Sequence, residues 1–227
     1  AVAELEQCIA DGARAVKWLP SAMGIDPASP RCDAFYAALV KHDLPLVVHT
    51  GTELSVNGAG HSQDHNNPLR LRRPLRLGVR VVAAHCASLG RDVDWDQGDQ
   101  AEKVSSLTLF ARLMDEPYGR NLYGDLSAIP QFHRYRALPR LLENETWQAR
   151  LLNASDYPLP GIQPIYLLKE LVRAELLDAG EAQVLHELRQ YNPLLFDFVL
   201  KRSLRWRGKK FPTSCFETRG FFDRSAV

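Results

Sequence analysis

Apolar residues in this chain fall into five short runs, and longer stretches between them repeat their apolar positions every three or four residues. The runs are Ala13-Arg-Ala-Val-Lys17, Leu44-Pro-Leu-Val-Val-His49, Val79-Arg-Val-Val-Ala-Ala-His85, Asn121-Leu-Tyr-Gly-Asp125 and Leu151-Leu-Asn-Ala-Ser-Asp156. Short β-branched runs bounded by turn residues read as buried parallel strands. The pattern predicts strands over residues 13–19, 44–50, 79–86, 122–128 and 149–155. Helical spacing predicts helices over 2–10, 31–42, 101–116 and 131–144. Three more, over 164–177, 181–190 and 193–204, follow the last strand, so a helical and basic C-terminal tail begins near residue 162. Residues 51–67 form a long polar loop.

Strands alternating with helices imply βαβ units and an α/β fold with a parallel sheet. Each run ends in a residue able to hold a metal or move a proton. In a parallel barrel the C-terminal strand ends converge on one face, which carries the active site. Lys17, His49, His85 and Asp156 are therefore expected around one cavity. Neutral imidazole and carboxylate suit Zn²⁺ first, and also Mn²⁺ or Fe²⁺. An ion there would lower the pKa of its water to about 7, and a neighbouring carboxylate could take that proton. His49 and Asp156 alone are too few for a zinc site, which usually has three or more protein ligands.

Composition narrows the classes. The chain has 227 residues, 45% of them hydrophobic, with a net charge of +1. That supports a sizeable core and gives no electrostatic case for nucleic acid. A complete eight-stranded barrel typically needs about 250 residues. No apolar stretch approaches the roughly 20 residues of a membrane span, and the N-terminus has no signal-peptide pattern. Cys8, Cys32, Cys86 and Cys215 are scattered without a C-x-x-C spacing, which fits reduced thiols in a cytoplasmic protein. Cys86 reads as a packed strand residue. One domain is the simplest division of residues 1–227.

The series Gly12-Ala-Arg-Ala-Val-Lys17, Leu44-Pro-Leu-Val-Val-His-Thr-Gly51, Val81-Val-Ala-Ala-His-Cys86, Asn121-Leu-Tyr-Gly-Asp-Leu-Ser127 and Asn153-Ala-Ser-Asp-Tyr-Pro158 resembles the amidohydrolase superfamily. The nearest likeness is to its branch of metal-dependent hydrolases and decarboxylases. The resemblance implies a (β/α)8 TIM-barrel fold, of which this chain would hold about strands four to eight. Lys17 would then lie on strand four, and His49, His85 and Asp156 would end strands five, six and eight. The resemblance makes His49 and Asp156 metal ligands and Asp156 the proton acceptor. It makes His85 a ligand or catalytic group, and Lys17 a residue that some subtypes carbamylate. The family's first strand carries His-x-His. None of the seven histidines here (His42, His49, His61, His65, His85, His133 and His186) forms that pair. The barrel is accordingly expected to be incomplete, with the strand at 13–19 on an open edge.

The expected function is metal-dependent hydrolysis of a C–N or C–O bond in a small polar substrate. Two alternatives stand beside it: a decarboxylase on the same scaffold, and a non-catalytic half-barrel that binds or assembles. The expected partner is a small molecule, not nucleic acid or membrane, and homo-oligomerisation is left open. Among the remaining polar residues, Asp125 is expected to fix a nearby loop or Lys17. His61 and His65 read as solvated loop residues, with substrate contact as the alternative. Arg70, Arg72, Arg73 and Arg76 read as a solvated face, and the basic residues from Lys201 to Lys210 as a surface tail.

Overall fold

A computed structural model of the chain describes residues 1–56 and 62–223. Five strands form one sheet: β1 (Val16–Trp18), β2 (Leu46–His49), β3 (Val81–Ala84), β6 (Leu122–Asp125) and β7 (Leu151–Leu152), in the order β1-β2-β3-β6-β7. Two further pairs, β4 (Arg91–Val93) with β5 (Lys103–Ser105) and β8 (Arg205–Trp206) with β9 (Lys209–Lys210), make antiparallel hairpins. The sheet is open, with β1 at one end and β7 at the other. This is an α/β fold with an unclosed barrel sheet, as the periodicity and length predict. Contacts divide the chain into two compact units, residues 1–124 with 218–223, and residues 125–217.

In the first unit β1, β2, β3 and the start of β6 are parallel and in continuous register. Val16 lies opposite Leu46, Leu46 opposite Val81, and Val81 opposite Leu122. All four residues of β3 are buried, as a central strand requires. The helix Asp33–Lys41 packs its aromatic face on β1, where Trp18 stacks on Phe35 at 5.3 Å and lies 5.8 Å from Tyr36. The helix Ser106–Asp115 buries Leu109, Phe110 and Leu113. The segment around Phe221 returns to this unit: Arg80 donates to its carbonyl at 2.9 Å, and Tyr123 meets its ring at 4.5 Å.

The second unit is mainly helical. β7 receives the chain leaving β6 through Leu126 N–H, which donates to Leu152 O at 2.8 Å. The helices Ala179–Tyr191 and Pro193–Ser203 are capped by Asp178, which accepts from Gly180 N at 2.8 Å, and by Asn192, which accepts from Leu195 N at 3.0 Å. Their core holds Leu185, Phe196, Leu200 and the edge of Tyr166, whose ring is 5.6 Å from Phe196. Arg189 is buried and donates to the carbonyls of Pro160 and Ile162 at 2.7 and 2.5 Å.

Four expectations need correction. The β4–β5 hairpin occupies a stretch read as loop and helix start, because three-residue strands are too short to show alternation. The tail from residue 205 is the β8–β9 hairpin, turned at Arg207 and Gly208, both with positive φ. Three of the four arginines read as a solvated face are half-buried and paired, Arg70 to Asp26 at 2.7 Å, Arg72 to Asp96 and Glu116 at 2.5 Å, and Arg73 to Asp33 at 2.6 Å, while Arg76 is exposed over the Tyr118 ring. Cys86 is buried, but in a turn beyond β3 and not in the strand.

Candidate active site

His49 is the last residue of β2, and His85 follows directly on β3. The register that sets His49 opposite Ala84 places both side chains at the C-terminal end of adjacent parallel strands. Their rings meet edge to face, with centroids 5.2 Å apart. Both are buried, 3% and 5% exposed. His49 Nδ1 lies 3.3 Å from the buried carboxylate of Glu53, and Nε2 lies 3.4 Å from Thr52 O, a contact and not a hydrogen bond when the ring proton is on Nδ1. Glu53 is held in turn by Ser55 N–H at 2.6 Å. A carboxylate accepting from Nδ1–H fixes the tautomer that keeps the Nε2 lone pair for a metal or a proton.

Backbone holds this pair in place. Thr52 N–H donates to Leu89 O, and Gly51 N–H to Asn66 O, both at 2.9 Å, so the loops after β2 and β3 are pinned together. Gly51 has φ +79, and a Cβ there would sit 2.2 Å from Leu89 O; Gly90 has φ +110, and a Cβ there would sit 2.4 Å from Thr52 Oγ1. Only glycine permits this approach. His85, Cys86 and Ala87 then run through three successive left-handed conformations, with φ of 57, 49 and 49. Each costs an L-residue roughly 1–2 kcal/mol, and the pinned loops around the turn supply the compensation such strain needs.

The second unit carries the carboxylates. Asp125, at the end of β6, is buried and accepts from the N–H of Ser127 at 3.0 Å and from its hydroxyl, so it fixes its own loop as expected. Asp156 follows β7, is exposed, and has φ +57; its carbonyl accepts from Leu159 N–H at 3.0 Å. Here lie one residue absent from the sequence reading, Asp197, and one read there as surface tail, Lys201. Asp197 and Lys201, one turn apart on the helix Pro193–Ser203, are each 1% exposed and pair at 2.6 Å. Lys201 also donates to Ala154 O at 2.5 Å. Burial raises the Asp197 carboxyl to about 6; the nearby Lys201 opposes the rise, and Asp156 and Asp125 add to it. Burial pushes the Lys201 ammonium down, and the three carboxylates counter it. Burial, and then Asp197, pushes the Tyr166 phenol up. Lys201 is thus no part of a surface tail.

Lys17 is exposed in the middle of β1, opposite Val47. Side chains alternate along strands, so Lys17, Val47 and His49 share one face of the sheet. His65 is half-buried in the turn Gln63–Asn66, and His61 lies outside the described residues. Glu53 was legible only as the fourth residue after His49 in His-Thr-Gly-Thr-Glu. Asp197 was legible only as one charge inside the apolar run Leu194–Leu200, and Lys201 only as the cation that follows it.

Imidazoles at this spacing, one oriented by a carboxylate, have the donor chemistry of a zinc-type site. The number of donors falls short. Among the described residues no group of three His, Cys, Asp or Glu side chains is placed to hold one metal ion. The arrangement that is present can bind nitrogen-seeking cations weakly, or accept and relay a proton between two rings.

The amidohydrolase family profile matches residues 1–194. The chain belongs to the amidohydrolase family. No curated protein matches it. Among solved structures it is similar to an uncharacterised TIM-barrel protein from Bordetella bronchiseptica, at 20% identity over 78% of this chain and 54% of that one, with a TM-score of 0.49. It is also similar to a candidate metal-dependent hydrolase from Lactobacillus casei, at 21% identity over 54% of this chain and 28% of that one, with a TM-score of 0.32. The chain thus spans about half the length of the first structure. Among the described residues no helix is long and apolar enough to cross a membrane.

Proposed function

We propose that the protein works as a metal-dependent hydrolase on a C–N or C–O bond of a small polar substrate. His49 and His85 would serve as imidazole donors to a divalent metal, zinc in the first instance, and Asp156 as the proton acceptor. The observation that carries this reading is the buried His49–His85 pair, with Glu53 behind His49. The bland alternative for either histidine is a polar strand cap. Two caps would not require a pinned glycine pair and a strained turn to bring their rings together.

When bound, the metal would supply Lewis acidity to water and to the scissile carbonyl. The chain's own residues do the rest. Glu53 holds the His49 ring so that Nε2 points one way. His85, on its strained turn, presents a second ring at van der Waals distance. Asp156, exposed and acidic, takes a proton from the attacking water and returns it to the leaving group, a role worth roughly 10²–10⁴-fold in rate. The proposed Lys17 carbamate stays with this reading as its weakest member, since Lys17 is exposed on the edge strand.

The test is a panel of amides, lactones and simple carboxylic acids offered to the metal-loaded full-length protein. The expected result is ring opening or amide cleavage without release of CO₂. Release of CO₂ alone would replace the reading with the decarboxylase. Inertness toward the whole panel, with no metal retained, would favour the non-catalytic module.

A further inference from the structure

We propose that Lys201, braced by Asp197, is a positioning residue for Asp156: its ammonium grips the Ala154 carbonyl and so sets the strand-end backbone from which Asp156 projects. This rests on the reading that Asp156 handles the water proton. The geometry lies within the second unit. Lys201 Nζ is 2.5 Å from Ala154 O and 2.6 Å from Asp197 Oδ2. Ala154 stands two residues beyond β7 and two before Asp156. Upstream, Asn153 N–H is tied to Cys215 O at 2.7 Å, and downstream Leu159 N–H closes on Asp156 O at 3.0 Å. Tyr157 N–H closes on Ser155 Oγ at 3.2 Å. Between these ties, Asp156 itself adopts a left-handed backbone with φ +57, a conformation that holds only when its surroundings fix it.

The cost of the device argues for its use. Burying an ammonium and a carboxylate is expensive, and an apolar pair of similar volume is often as stable or more so. A pair serving stability alone gains little from reaching a strand-end carbonyl. An ammonium has three donors and no acceptor, and two of these donors are spent on Asp197 and on the peptide that leads into Asp156. The same charge lies within electrostatic range of Asp125 and Asp156, as well as Asp197. It therefore acts as the common counter-ion of the carboxylates of this unit as well as a mechanical tie.

The experiment compares four forms of the metal-loaded full-length protein: wild type, Asp156→Asn, the paired replacement Asp197→Leu with Lys201→Met, and that replacement combined with Asp156→Asn. The paired replacement removes both charges and keeps the volume, so it is expected to fold. It should leave KM within about threefold and lower kcat by about 10- to 100-fold, the scale of a misplaced catalytic group. On top of Asp156→Asn it should lower kcat no further, because its effect runs through Asp156. Losses that multiply, or a kcat unchanged by the paired replacement while Asp156→Asn is impaired, would overturn the proposal and leave the Asp156 reading intact. A near wild-type Asp156→Asn would instead remove that reading, and this inference with it. The milder pair Asp197→Asn with Lys201→Gln keeps a hydrogen-bond donor toward Ala154 O with no charge to bury. It should restore kcat to within about fivefold of wild type, and should serve if the apolar pair does not fold. Failure to restore kcat in a folded protein would count against positioning through that carbonyl. Hydrogen exchange should also speed up at residues 155–159 in the apolar pair and not elsewhere in the unit; a uniform change would mean a purely structural role.

Discussion

In the first unit the chemistry-bearing side chains are held by backbone; in the second they are held by buried charge. His49 and His85 owe their juxtaposition to parallel register, to two glycines that let the following loops touch, and to a left-handed turn. Asp156 stands four residues beyond a two-residue strand that offers little register to fix it. There a lysine from a distant helix grips the chain instead. Backbone pins tolerate changes of side chain but not of glycine. An ion-pair pin tolerates removal of both charges but not of one.

That contrast can be broken at several points. The largest effect should come from Lys201→Met alone, which strands the buried Asp197 carboxylate. Breaking one side of a buried pair costs about 3–5 kcal/mol, and urea unfolding should show it, while the double replacement Asp197→Leu with Lys201→Met should lie close to wild type. Equal losses for the single and double variants would show that the pair is not the holding device. Next is Gly51→Ala. Left-handed strain of about 1–3 kcal/mol is compounded by the contact with Leu89 O. Gly208→Ala, also at φ +79 but with nothing near its Cβ, carries only the strain. The difference between the two in chemical denaturation isolates the loop pin, and no difference would remove it from the account.

Glu53→Gln should act more weakly and on function. It keeps the volume and weakens the grip on His49 Nδ1, so metal affinity measured by titration calorimetry should fall about 10- to 100-fold with the fold intact. Unchanged affinity would mean that His49 is oriented by the strand alone.

The smallest effect is in pH dependence, and the two units should differ in sign. Burial raises Asp197 from 3.8 to about 6. The folded form then binds more protons than the unfolded one between those values, so the contribution of Asp197 to stability falls as pH rises through that window. Asp94 and Asp96 are lowered from 3.8 by hydrogen bonds from Arg112 and Arg72 respectively. Their contribution is present above 3.8 and is lost as pH falls below it. Unfolding curves of Asp197→Asn should therefore lack a decline between about pH 4 and 6 that wild type shows. Arg112→Met should flatten the acid limb instead. The same slope in all three proteins would contradict both assignments.

The sheet was legible because its cause is local. β-branched runs of four to seven residues ended by histidine or aspartate have few other readings, and the order of Lys17, His49, His85 and Asp156 along the chain followed from them. The hairpin β4–β5 was hidden because three residues carry too little alternation. Cys86 was misplaced because a left-handed turn of non-glycine residues has no sequence signature. Lys201 was hidden for a different reason. Placed beside Arg202, Arg205 and Lys209, it looks like one more surface cation, and only the helix phase, which sets it one turn from Asp197 on the buried side, distinguishes it. Glycine-based pins leave a mark in sequence, and charge-based pins inside a helix leave almost none.

The claim at the centre of this account is a division of labour, with metal binding resting on the imidazoles of the first unit and proton transfer on Asp156 of the second. The direct measurement is metal content by elemental analysis beside kcat, in His49→Ala and Asp156→Asn of the full-length protein. His49→Ala should lose the metal first, and activity with it. Asp156→Asn should keep its metal and lose turnover by roughly 10²–10⁴-fold. Asp156→Asn turning over near the wild-type rate with metal bound, or His49→Ala retaining its full metal content, would contradict the account.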